Sequence, residues 1–107
     1  MSIGTVQTEK ILSEAPGATD WVRIKDKLAV QITGTATDVT ILVERSTRAP
    51  DDPAGLNTAV VDTLTGNPAT GLAPAGFDEP GLAWWRARAT GITGGEVTIA
   101  ISSLWRG

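Results

Sequence analysis

Between Leu82 and Ser102, apolar and polar side chains alternate with a period of two, broken once by Gly94-Gly95. Ala83, Trp85, Ala87 and Ala89 fall on one face of the first run, and Trp84, Arg86 and Arg88 on the other. In the second run Val97, Ile99 and Ile101 oppose Thr98, Ala100 and Ser102. This period belongs to extended chain with one face buried, and a Gly-Gly break predicts a hairpin turn. A chain with such a segment has to build a sheet. Trp85 among three alanines is a large ring filling an interior, which places Trp84, Arg86 and Arg88 on the outside.

The rest of the chain repeats this pattern in shorter pieces. Residues 1–12 fit either an edge strand or an extended arm. Ala15-Pro-Gly-Ala-Thr-Asp20 is turn chemistry, since proline fixes φ and glycine frees it. From Val22 to Ile32 the even positions are apolar except Asp26, which predicts two short strands or one bent strand. Gly34 to Asp38 turns the chain. Val39 to Arg45 is a strand with Val39, Ile41 and Val43 inward. A polar loop with two prolines spans residues 48–55, where prolines exclude a central strand, and a further strand is expected over 56–64. Residues 65–81 read as a long Gly/Pro-rich loop: glycines fall at 66, 71, 76 and 81 and prolines at 68, 74 and 80, two spacings that do not form a repeat.

No helical periodicity is sustained. Seven or eight short strands with Gly and Pro turns predict an all-β antiparallel sandwich or small barrel without substantial helix. A length of 107 residues suits one domain: residues 13–107 as the sandwich, preceded by the arm or edge strand at 1–12.

Composition narrows the chemistry. Twelve acidic residues against nine Lys plus Arg give a formal charge of −3. That balance disfavours a nucleic-acid backbone or an anionic membrane as partner. No apolar run approaches the roughly 18–20 residues that cross a bilayer, and the first residues lack the pattern of a secretory signal. With neither cysteine nor histidine, thiolate chemistry and the commonest general base and metal ligand are missing. Asp51, Asp52, Asp62, Asp78 and Glu79 could in principle hold calcium or act as a carboxylate pair. Their spacing matches no such motif, and loop carboxylates ordinarily bond nearby backbone N–H groups. Ser102-Ser103 has no base to activate it, and no phosphate-binding loop occurs. The expectation is a protein with no enzymatic activity, no cofactor and no metal.

Four tryptophans stand against one phenylalanine and no tyrosine. Trp21, Trp84 and Trp105, with Arg23, Arg86 and Arg88, are the candidate interface, because Trp and Arg concentrate in protein–protein hot spots. Arg23, Lys25 and Lys27 make a basic stripe beside Trp21. Such a stripe is either a solvated face or a dock for an acidic surface.

The order of a strand ending in Gly34, then Val39-Thr-Ile-Leu-Val-Glu-Arg-Ser46, a loop, Trp85-Arg-Ala-Arg-Ala-Thr90, a Gly-Gly turn and Val97-Thr-Ile-Ala-Ile-Ser102 resembles small β-sandwich virion structural proteins of tailed bacteriophages and prophages. The resemblance covers about Leu28 to Ser102, with Trp85 where such proteins more often carry Tyr. It implies an immunoglobulin/fibronectin-III-like or jelly-roll-like sandwich acting as a capsid decoration protein on the outer capsid surface. Its partners would be the major capsid protein or other virion proteins, with self-association, for instance as a trimer, on the particle. Such a protein is made in the host bacterial cytoplasm and resides in the virion. A tail, neck or fibre-associated component is the nearest alternative, and a carbohydrate-binding module using surface tryptophans the next.

Overall fold

A computed structural model describes residues 2–47 and 59–106, with side chains for 5–47, 59–79 and 81–103. Seven strands form: β1 (Ser2–Leu12), β2 (Gly17–Ala18), β3 (Val22–Gly34), β4 (Asp38–Ser46), β5 (Ala59–Gly66), β6 (Ala75–Thr93) and β7 (Val97–Arg106). Every pairing is antiparallel, and no helix occurs among the described residues. The all-β antiparallel class is as expected. The hydrogen bonding, however, runs through a single sheet in the order β1-β7-β3-β6-β4-β5, with β2 added beside β6.

The inward face explains how one sheet makes a core. Leu28, Val30 and Ile32 of β3, Val39, Ile41 and Val43 of β4, Trp85 of β6 and Ile99 of β7 belong to one buried cluster. Without a covering helix, a sheet face reaches almost complete burial only by curling over itself. A thin dimension of 18 Å leaves room for two backbone layers about 10 Å apart. The long strands β3 and β6 make the curl feasible. The end of β3 pairs with β7 while its start pairs with β6, and the second half of β6 pairs with β4.

The predicted hairpin between residues 82 and 102 does not form. Both strands exist with the expected faces, but β3 lies between β6 and β7. Gly94 (φ 82°) and Gly95 (φ 156°) carry the chain over the end of the sheet instead of back along it. This corner is stitched to the other one, between β3 and β4. The Thr35 and Ala36 N–H groups both donate to the Glu96 carbonyl at 3.0 Å, and the Thr37 N–H donates to the Thr93 carbonyl at 2.8 Å. Gly34 (φ 134°) is required there: a Cβ would collide with the Glu96 carbonyl oxygen and lie 3.0 Å from the Val97 Cα.

Residues 65–81 are also not one loop. Thr65 and Gly66 end β5, and β6 begins at Ala75, so only 67–74 connect them. Ala75 to Asp78 pair with Val30 to Lys27, and Leu82 resumes opposite Lys25. Pro80 falls in the irregular stretch between, where the ladder needs no N–H from it. Opposite it, Asp26 takes a positive φ of 64°, and its carboxylate accepts the Gly81 N–H at 2.9 Å. The polar interruption in β3 thus marks a register irregularity in one continuous strand, where Asp26 alone faces the three residues 79–81 of β6.

Of the segment expected as an edge strand or arm, residues 2–12 form the edge strand β1, paired with β7. The strand expected over 56–64 is described as β5 from Ala59 and runs on to Gly66. Residues 56–58 and the loop expected at 48–55 lie outside the described residues.

Candidate functional site

Among the described residues, the outward face of β6 carries the most connected cluster of charged side chains. Three strands position it. Arg23 of β3 is opposite Trp84, which is in turn opposite Ser46 of β4, and Glu44 of β4 is opposite Arg86. Leu42 and Ala18 flank Arg88 on its two sides. Period-two alternation brings these side chains out together, just as it sends Trp85 inward.

Trp21 joins the face by another route. It lies between β2 and β3, where the chain steps along the edge of β6. Thr19, buried, holds this step in place: its N–H donates to the Ala87 carbonyl at 2.9 Å, and its hydroxyl accepts the Ala87 N–H at 3.1 Å. The Trp21 ring then receives the Arg86 guanidinium at 4.6 Å from its centroid, and Arg23 sits 6.0 Å from that of Trp84.

At the centre is Glu44, whose side chain is only 5% exposed. Its Oε1 accepts hydrogen bonds from Arg86 Nε at 2.8 Å and Arg88 Nε at 3.0 Å, and its Oε2 accepts from Arg88 Nη2 at 3.3 Å. Burial by itself would raise the pKa of this carboxyl. The hydrogen bonds and positive charges of Arg88 and Arg86 outweigh that and hold it below its ordinary value. Glu44 is therefore ionised at neutral pH and fixes two arginines side by side.

Of the six interface residues expected from sequence, five converge here: Trp21, Arg23, Trp84, Arg86 and Arg88. Trp105 does not join them. It belongs to β7, opposite Ile3 and on the far side of β3 from β6. Lys25, opposite the exposed Leu82, extends the face, while Lys27 pairs with Asp78 at 3.8 Å. Glu44 is the residue that sequence reasoning missed. Its signal was present, since it shares phase with Thr40 and Leu42 and opposite phase to Val43.

Among the described residues, the acidic side chains do not assemble into a second site. Asp62 accepts the N–H of its neighbour Thr63 at 2.8 Å, Asp78 pairs with Lys27 as above, and Asp51 and Asp52 lie outside the described residues. No cluster of three or more potential metal ligands occurs among the described residues. An open hollow of about 400 Å³ is lined by Arg45, Thr47, Ala59, Val61 and Glu79. It holds neither an evident nucleophile–base pair nor two facing carboxylates.

Compared with protein-family models, curated proteins and solved structures, the chain matches none of them.

Proposed function

We propose that this chain is a non-enzymatic virion structural protein of the capsid-decoration type, attached to neighbouring virion proteins by the outward face of β3, β6 and β4. The observation that carries the reading is the pair of arginines locked on buried Glu44 and bracketed by Trp21 and Trp84. Arg and Trp held rigid at a surface are the side chains that dominate protein–protein binding energy, and holding them in advance lowers the entropy lost on association. The resemblance to phage virion proteins supplies the biological setting. On a symmetric particle many modest contacts add up, and self-association as a trimer would multiply them further.

The test is the copy number of the protein in purified particles from the phage or prophage that encodes it, by quantitative mass spectrometry. Hundreds of copies support decoration, a dozen or fewer support a tail, neck or fibre position, and absence from the particle overturns the virion reading. A glycan-binding role is the weaker alternative, because guanidinium groups already stand against the Trp21 and Trp84 rings on which a sugar would stack.

A further inference from the structure

Resting on that assignment of the face, we infer that its partner presents an extended segment with carboxylates at alternate positions, Asp/Glu-x-Asp/Glu, laid along the outward side of β6. Four independent features lead to this chemistry.

The first is donor supply. Arg86 engages Glu44 through Nε alone, and Arg88 through Nε and Nη2. Among the described residues, the remaining Nη groups have no hydrogen-bond partner, and the two side chains are 27% and 34% exposed. A guanidinium with an open edge matches a carboxylate by two parallel hydrogen bonds.

Spacing is the second. Arg86 and Arg88 are two residues apart on one strand, roughly 6.7 Å along its axis. Alternate side chains of another extended chain repeat at that same interval, so two acids separated by one residue fall in register with the two arginines. Arg23 lies one strand over and meets an acid further along the segment.

Charge is the third. The face brings Arg23, Lys25, Arg86 and Arg88 together around the carboxylate of Glu44, on a chain whose formal charge is −3. An acidic partner is repelled by the molecule as a whole and attracted here, which confines docking to this face.

The fourth separates a peptide from a nucleic acid. Single-stranded nucleic acid is gripped by bases stacking on open aromatic rings, whereas Trp21 and Trp84 are engaged by Arg86 and Arg23. Exposed Leu82 and Val60 beside the cations offer apolar contact to the intervening residues of a peptide instead.

The experiment is a titration of the whole chain with a ten-residue peptide carrying Glu at alternate positions, read by intrinsic Trp fluorescence and calorimetry. Three comparators are run: the same peptide with Gln for Glu, a peptide with its glutamates clustered at one end, and a ten-nucleotide thymidine strand. The alternating peptide should bind at least tenfold more tightly than the Gln version and about threefold more tightly than the clustered one. Arg88→Lys keeps the charge and loses the fork, and should weaken binding at least fivefold. Arg23→Gln leaves the Glu44 cluster untouched, keeps the fold, and should weaken it about threefold.

Equal binding of the Gln peptide, tighter binding of the thymidine strand, no binding of any probe, or indifference to Arg23→Gln each overturns the inference. Its failure is distinct from that of the virion reading. Abundant protein in particles without peptide preference removes only the acidic segment, and peptide binding by a protein absent from particles removes only the virion.

Discussion

On one side of β6, Ala83, Trp85, Ala87 and Ala89 are almost fully buried, while on the other Trp84, Arg86 and Arg88 are part-exposed. Trp84 and Trp85 share a peptide bond and have opposite surroundings. Trp85 is 1% exposed, tilted against Phe77 at a centroid distance of 5.9 Å, with Arg45 5.7 Å from its ring. Trp84 faces Arg23 at the surface. The same strand thus provides a packed interior on one side and an organised polar surface on the other. The interior is held by area removed from water, the surface by one buried carboxylate.

That contrast can be broken from either side. Trp85→Ala should cost about 3–5 kcal/mol through lost burial and the void left behind, against less than about 1 kcal/mol for Trp84→Ala. Chemical denaturation measures both, and comparable losses would mean that the two faces are misassigned. Glu44→Gln comes next. Two arginines would lose their shared anion in a part-buried site, for a cost of about 2–3 kcal/mol. A near-neutral result would show that the arginines do not depend on Glu44.

The pH dependence sharpens the same point. A carboxyl whose pKa is lower in the folded state contributes stability that is present above its unfolded value, about 4.3 for Glu, and lost as pH falls through the folded one. The stability gap between the native chain and Glu44→Gln should stay constant above about pH 5.5 and shrink below about pH 4. A gap that widened on acidification would reverse the assigned sign. A small effect is also expected of Trp21→Ala, which removes the ring against Arg86 and should cost about 0.5–1 kcal/mol. It should leave the core signals of Phe77 and Trp85 unmoved in NMR spectra.

The division of β6 into two faces was legible in the sequence, because alternation fixes which way each side chain points once the chain is extended. It also put Trp84, Arg86 and Arg88 on one face before any pairing was known, whereas Trp21 and Arg23 come to that face only through the pairing of β3 and β2 with β6. Partners were not legible. Gly94-Gly95 between two alternating runs has the same appearance whether the chain doubles back beside itself or arches over the edge of a sheet. Long-range contacts such as those of Glu96 with Thr35 and Ala36 distinguish the two, and those bridge some sixty positions. Residues 75–78 were hidden for a different reason. Gly76 and Pro80 look like loop residues, yet Gly76 pairs with Ala29 and the proline falls in the register irregularity opposite Asp26, outside the paired positions. Glu44 was overlooked because a lone acid in a strand reads as solvent-facing until two arginines are found across from it.

The strand order has a kinetic consequence. Among the described strands, β4 and β5 are the one pair that is both consecutive in the chain and adjacent in the sheet. Nearly every other pairing must close a large loop before it gains anything, the regime in which folding takes milliseconds to seconds. During synthesis, the inward side chains of β3 and β4 have to wait, unprotected, for Trp85 and then for Ile99 and Ile101 to emerge from the ribosome. Shielding of that nascent stretch is a requirement set by topology alone.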